Sequence, residues 1–170
     1  MTTLRFGKGT NGEFLVNAEE SGRGDNAQVR VEGVSRKTFT AAQIDSANGT
    51  PLELVAAPGA AFALVVTKVV ISKAAGTAFG GIAAGEDFTV VYSGGTDNLV
   101  TDIETTGFLD QTTAEIRVAH GPVDPTGTHD LTALLNTAVD LELLVGDITL
   151  GDEVIVDTYY ERYPSFLVND

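Results

Sequence analysis

The stretch Val154-Ile155-Val156-Asp157-Thr158-Tyr159-Tyr160 decides the fold class. On an extended backbone successive side chains point to opposite faces. Val154, Val156 and Thr158 therefore share one face, and Ile155, Asp157 and Tyr159 the other. The side holding Val154 and Val156 is predicted to meet a core. Working outward, short apolar runs rich in β-branched residues recur at 13–17, 28–34, 52–56, 61–72, 87–92, 98–103, 115–119 and 139–145, and the quoted stretch lies in a run at 153–160. Gly, Asp, Asn, Thr and Pro separate them. Asn11-Gly12, Asn48-Gly49 and Gly94-Gly95 are turn dipeptides that tolerate positive φ, and Pro58-Gly59 predicts a tight turn before the long run. No window of about twelve residues has apolar positions at helical spacing. The pattern predicts an all-β sandwich or barrel with short helical turns. One has Thr40 capping Ala41-Ala42-Gln43-Ile44, with Gln43 at the capping-box position. The others are Gly107-Phe108-Leu109-Asp110-Gln111 behind Thr105 or Thr106, and 130–137 behind Asp130.

A chain of 170 residues suits one domain with an appended arm. The absence of cysteine excludes disulfides, zinc–thiolate sites and cysteine nucleophiles. The longest apolar run, 60–71, is broken by Thr67 and Lys68 and is too short to span a bilayer. Met1-Thr2-Thr3-Leu4-Arg5-Phe6-Gly7 has no apolar signal-peptide core, so an unexported soluble protein is expected, with no membrane partner. A formal charge of -14 argues against nucleic acid as a partner, because phosphate contact needs a basic face. The charge is unevenly spread. Residues 1–37 hold six of the ten Lys/Arg against five acids, which leaves four cations against 19 acids in residues 38–170. This step predicts a boundary near Thr38, between an N-terminal arm at 1–37 and a body at 38–170 with different partners.

Chemistry-bearing motifs are sparse. Gly7-Lys8-Gly9-Thr10-Asn11-Gly12 matches GxGxxG by letter, but a short apolar run follows it where a phosphate-binding helix would have to start. Arg23-Gly24-Asp25 reads as a Gly-centred turn between charges. His120 and His129 straddle a Pro/Gly loop, without the spacing that places two ligands on one helix face. Asp147, Asp152 and Glu153 flank a Gly146/Gly151 turn that lacks the ordered ligand spacing of a calcium loop. Asn48-Gly49-Thr50 is a glycosylation sequon by letter and a turn by position. No serine sits in a Gly-x-Ser-x-Gly elbow. Tyr159, Tyr160, Tyr163 and Phe166 form the one aromatic cluster, which reads as packing at the end of a last strand rather than a sugar platform. These residues predict no catalytic residue, no metal ligand and no cofactor, hence no enzyme.

A larger pattern is carried by Phe39-Thr40-Ala41-Ala42-Gln43-Ile44, by Thr50-Pro51-Leu52-Glu53-Leu54-Val55-Ala56-Ala57-Pro58-Gly59-Ala60 ahead of the run at 64–72, and by Asp87-Phe88-Thr89-Val90-Val91-Tyr92. Gly107–Gln111, Leu141, Leu143 and the turn at 146–151 before Val154 complete it. Over about 70% of the chain this resembles a jelly-roll family of tailed-bacteriophage virion proteins, the capsid decoration (cement) and minor structural proteins. The resemblance implies a jelly-roll β-sandwich and a structural role on the capsid surface. It further implies the major capsid protein as partner, a homotrimer, and assembly in the host cytoplasm. A tail-associated receptor- or carbohydrate-binding module is the alternative. Residues 1–37 lie outside the resemblance. Their cations Arg23, Arg30, Arg36 and Lys37 are the expected partner-binding residues, able to meet acidic groups while the arm pairs with a neighbouring sheet edge. Because no ligand spacing supports a metal, a strong chelator should leave the melting temperature within a few degrees of its starting value. A fall of more than about 10 °C would overturn this and point to calcium at Asp147 and Asp152.

Overall fold

Burial follows the alternation read at 154–160. Val154, Val156 and Thr158 are fully buried, while Ile155, Asp157 and Tyr159 are half-exposed. The computed structural model describes residues 31–121, 134–144 and 148–164, and two strands upstream of them. The strands are β1 (Arg5–Lys8), β2 (Phe14–Asn17), β3 (Val31–Phe39), β4 (Leu52–Val55), β5 (Phe62–Lys73), β6 (Phe79–Gly80), β7 (Phe88–Tyr92), β8 (Glu115–His120), β9 (Val139–Leu143), β10 (Thr149–Leu150) and β11 (Val154–Pro164). One short helix, α1 (Ala41–Ser46), stands between β3 and β4. The protein is thus all-β among its described residues, in several antiparallel sheets.

The largest sheet has the order β3-β11-β5-β8, and a second has β4-β9-β7. The segment 98–103, expected as a strand, contributes a single bridge from Ile103 to Phe88. It nonetheless runs beside β7, with mutual main-chain bonds between Phe88 and Ile103 and a bond from the Leu99 N–H to the Val90 carbonyl at 2.8 Å. Two small antiparallel pairs, β1 with β2 and β10 with β6, complete the set. The inner faces of the two main sheets share one apolar core. Val69, Ile71, Val154 and Val156 enter it from the first sheet, and Leu54, Phe88, Val90 and Leu141 from the second. Each such side chain, fully withdrawn from water, stabilises the fold by roughly 1.5–3 kcal/mol.

Local chemistry sets the connections. Thr40 and Gln43 form the predicted capping box at α1, which seats Ile44 in the core. Gly59 turns at φ +97, a conformation that favours glycine. The Asn136 side-chain oxygen accepts its N–H at 2.9 Å, joining this turn to the approach to β9. The helix expected at Gly107–Gln111 behind Thr105 or Thr106 is instead a chain of turns. The Thr105 carbonyl accepts from both Phe108 and Leu109, which drops those two side chains fully into the core. Of the helix expected at 130–137, residues 130–133 lie outside the described residues, Leu134 is helical, and Leu135 and Asn136 turn out of it, Asn136 at φ +56.

The expected boundary after Lys37 falls inside β3. All nine residues of that strand pair with β11, from Val31↔Arg162 to Phe39↔Val154, so the body's sheet begins at Val31. The polar run Ser35-Arg36-Lys37-Thr38 hid this. An edge strand needs few apolar residues once its neighbour supplies the ladder bonds.

Two buried polar groups generate tests. The Thr158 hydroxyl sits in the core face of β11 with no hydrogen-bond partner among the described residues. Its desolvation is uncompensated, so Thr158→Val should stabilise the protein by about 1 kcal/mol, a rise of roughly 2–4 °C in melting temperature. A fall of similar size would show that the hydroxyl is satisfied in solution. The Tyr92 hydroxyl donates to the Leu64 carbonyl at 2.5 Å. Burial pushes its ionisation up to about 12. Between pH 10 and 12 the unfolded chain then binds fewer protons than the folded one, so stability falls as pH rises through this window, by on the order of 2–3 kcal/mol. Relative to wild type, Tyr92→Phe should flatten that alkaline loss in pH-dependent denaturant melts. Equal slopes would exclude Tyr92 as its source.

Candidate protein-docking site

A surface cleft of about 700 Å³ lies between the β3 edge and the chain leaving β4. Strand alternation builds it. Ser35 and Lys37 lie on the inward side of β3, where the Ser35 hydroxyl donates to the Leu54 carbonyl at 2.6 Å and links the two sheets. Tyr160 and Arg162 continue the inward row of β11. Gly33 is needed opposite Tyr160, because a Cβ there would stand 2.5 Å from its ring. The facing wall is Val55, Ala56, Ala57 and Pro58, the central part of the Leu54–Ala60 run.

Three cations line the cleft, of the six whose side chains are described. Arg36 makes a two-pronged contact to Asp157, Nε to Oδ1 at 2.6 Å and Nη2 to Oδ2 at 2.7 Å. Hydrogen bonding to Arg36 holds the Asp157 carboxyl below its ordinary range, and the same bond raises the guanidinium. This contribution of Asp157 is present above the usual carboxylate pKa and lost as pH falls through the lowered one. The Arg36 side chain is open to water, which screens the pair, so it adds little stability. The Lys37 ammonium lies 3.4 Å from Glu53 of β4. Arg162 donates to the Pro58 carbonyl at 2.9 Å and covers the Phe62 ring at 4.6 Å from its centroid.

Of the residues expected to bind a partner, Arg36 and Lys37 both border the cleft, on opposite faces of β3, whereas Arg23 and Arg30 lie outside the described residues. Arg162 was missed. Extending the period-two row from Val154 through Tyr160 by one more step reaches it.

The other motifs are dispersed. Gly7 and Lys8 lie in β1, which pairs back on β2. Arg23-Gly24-Asp25, His129, Asp147 and Phe166 are outside the described residues. His120 ends β8 and is exposed. Asp152 accepts the Thr77 N–H at 2.6 Å. Asn48 and Gly49 form the turn after α1. Among the described residues no three of His, Asp and Glu gather as a metal set. Tyr159 has Lys68 over its ring at 3.9 Å, Tyr160 is buried, and the Tyr163 hydroxyl donates to Glu161 at 2.6 Å. The described cleft lining holds no histidine or carboxylate; of its two hydroxyls, that of Ser35 is engaged by Leu54 and the other belongs to buried Tyr160. Such a surface can bind by shape, main-chain polarity and positive charge. Comparison with protein-family models, curated proteins and solved structures finds no match.

Proposed function

We propose that this chain is a structural virion protein, a jelly-roll β-sandwich that decorates and braces a bacteriophage capsid by binding the major capsid protein as a homo-oligomer. Its action needs no catalysis or cofactor. The observation that carries the reading is the strand interleaving. The chain crosses between its two sheets in the order β3, β4, β5, β7, 99–103, β8, β9, β11. The first and last of these strands lie side by side. Each sheet mixes strands from both halves of the chain, as two wrapped Greek keys do.

The cleft supports a docking role. Its wall is the Leu54–Ala60 run, the most specific part of the family resemblance, and it gathers cations in a chain of net charge -14. Arg36 and Lys37 would exchange their own acids for acidic groups on the capsid surface, raising the on-rate and fixing register. Weak contacts from several copies then add through effective concentration. The aromatic cluster favours this reading over sugar binding, because Tyr159 is already covered by Lys68 and Tyr160 is buried.

Quantifying the protein in purified particles tests the proposal. A copy number comparable to that of the capsid protein is expected. A few copies per particle, at a tail, would sink it in favour of the receptor-binding alternative. In rebinding to stripped particles, Arg36→Glu with Lys37→Glu should weaken binding by roughly 10–100-fold while melting shifts by only a few degrees. Unchanged binding would move the docking surface elsewhere on the body.

A further inference from the structure

Strand β8 borders the four-stranded sheet and has one strand neighbour, β5. The Gly121 N–H donates to the Thr67 carbonyl at 3.1 Å, continuing the β5–β8 register. In an antiparallel pair the bonded residues alternate, so Glu115, Arg117 and Ala119 turn their main-chain groups toward β5. Ile116, Val118 and His120 turn theirs outward. The His120 carbonyl accepts from Thr101 at 3.4 Å, but the outward groups of Ile116 and Val118 meet no partner among the described residues.

The side chains of this edge are as unusual as its backbone. Ile116 is 62% exposed and Val118 49%, and they stand beside half-buried Ser72 and Val70 of β5. Edge strands are normally guarded by lysine, proline or a bulge, and β8 has none of these. Its one cation, Arg117, is turned onto the Thr106 and Gly107 carbonyls, the latter at 2.9 Å.

We propose that β8 pairs antiparallel with β8 of a second copy of this chain across a two-fold axis, joining the two four-stranded sheets into one. Self-complementarity selects this occupant. Outward-facing residues must oppose outward-facing residues, and with His120 already engaged that sets Ile116 of each copy against Val118 of the other. The register makes two apolar cross-strand pairs and uses the outward main-chain groups of Ile116 and Val118 in both strands. Arg117 falls opposite its counterpart, with each guanidinium held on its own 106–107 carbonyls. Charge points the same way. Two copies at -14 repel almost everywhere, yet β8 holds a single acid, Glu115, which is on the inward side and bonded by the Thr113 hydroxyl at 2.7 Å. The joint is small against the ~800 Å² per partner of a standard interface. It is therefore a concentration-dependent dimer that tightens with salt, as screening shortens from about 10 Å at 0.1 M to about 3 Å at 1 M. The inference stands on β8 and does not rest on the virion reading. Within that reading it makes a dimer the building unit, in place of the trimer the family resemblance implies.

Sedimentation velocity of the full chain over a concentration and salt series tests it. Wild type should move from monomer toward dimer, more so at high salt. Val118→Lys should weaken association by roughly 100-fold or more. Val34→Lys, at a 58% exposed position on β3, should leave association unchanged. Hydrogen exchange at the Ile116 and Val118 amides should slow as concentration rises, a readout that needs no variant. A strict monomer at every salt, a trimer, an oligomer indifferent to Val118→Lys, or amides without concentration-dependent protection would each overturn the inference. Dimers that bind no capsid would overturn the proposed function and leave β8 pairing standing, while capsid binding by a strict monomer would overturn β8 pairing and leave capsid docking, without its oligomer, standing.

Discussion

Everything described depends on β11 lying between β3 and β5. All eleven of its residues pair with β5 and nine of them also with β3, so one alternation fixes the faces of three strands. With Val154, Val156 and Thr158 turned inward, Val69 and Ile71 must face the core from one side and Ser35 and Lys37 must face the cleft on the other. Slipping β11 by one residue would expose two valines and bury Asp157. The Arg36–Asp157 contact marks the correct register from the outer face, joining positions 121 residues apart in the chain. The pair adds little stability, but it is geometrically demanding, and a slipped strand cannot make it.

The strands were legible where one face is apolar and the other polar, as at 154–160, or where the whole strand is buried, as in Phe88–Tyr92. Capping was legible because Thr40 and Gln43 carry their own geometry. The two-residue strands β6 and β10 were not, since two residues have no period. β3 was read short because Ser35, Arg36, Lys37 and Thr38 are polar on both faces. Its inner face borders a cleft, so nothing demands apolar residues there. The turns at 107–111 were misread as helix for a related reason. Phe108 and Leu109 are apolar because a loop carries them into the core, an arrangement visible only once the sheets are in place. At the cleft, the charge step pointed to Arg36 and Lys37, but a count of charges says nothing about which strand Arg162 would join them from.

The cleft and the β8 edge lie at opposite margins of the same sheet, and they differ in kind. At the cleft the cations already have intramolecular partners, so an incoming acidic surface gains only the difference between two exposed ion pairs. Steering and orientation follow more readily from that than tight affinity. At β8 the groups on offer are main-chain donors and acceptors with no partner among the described residues. One margin suits recognition of a charged surface, and the other suits repetition of the same chain.

The place of β11 has a consequence for biosynthesis. A ribosome releases β3 and β5 long before residues 154–164, yet these early strands are separated by the slot that the late strand fills. Throughout most of elongation the nascent chain therefore exposes two facing strand margins and the apolar side chains behind them. The sheet closes only as a last, long-range step, the kind of topology that folds slowly and is vulnerable to misassociation on crowded polysomes. The dense acidic charge of residues 38–170 acts over that interval as well, keeping neighbouring unfinished chains apart until the slot is occupied.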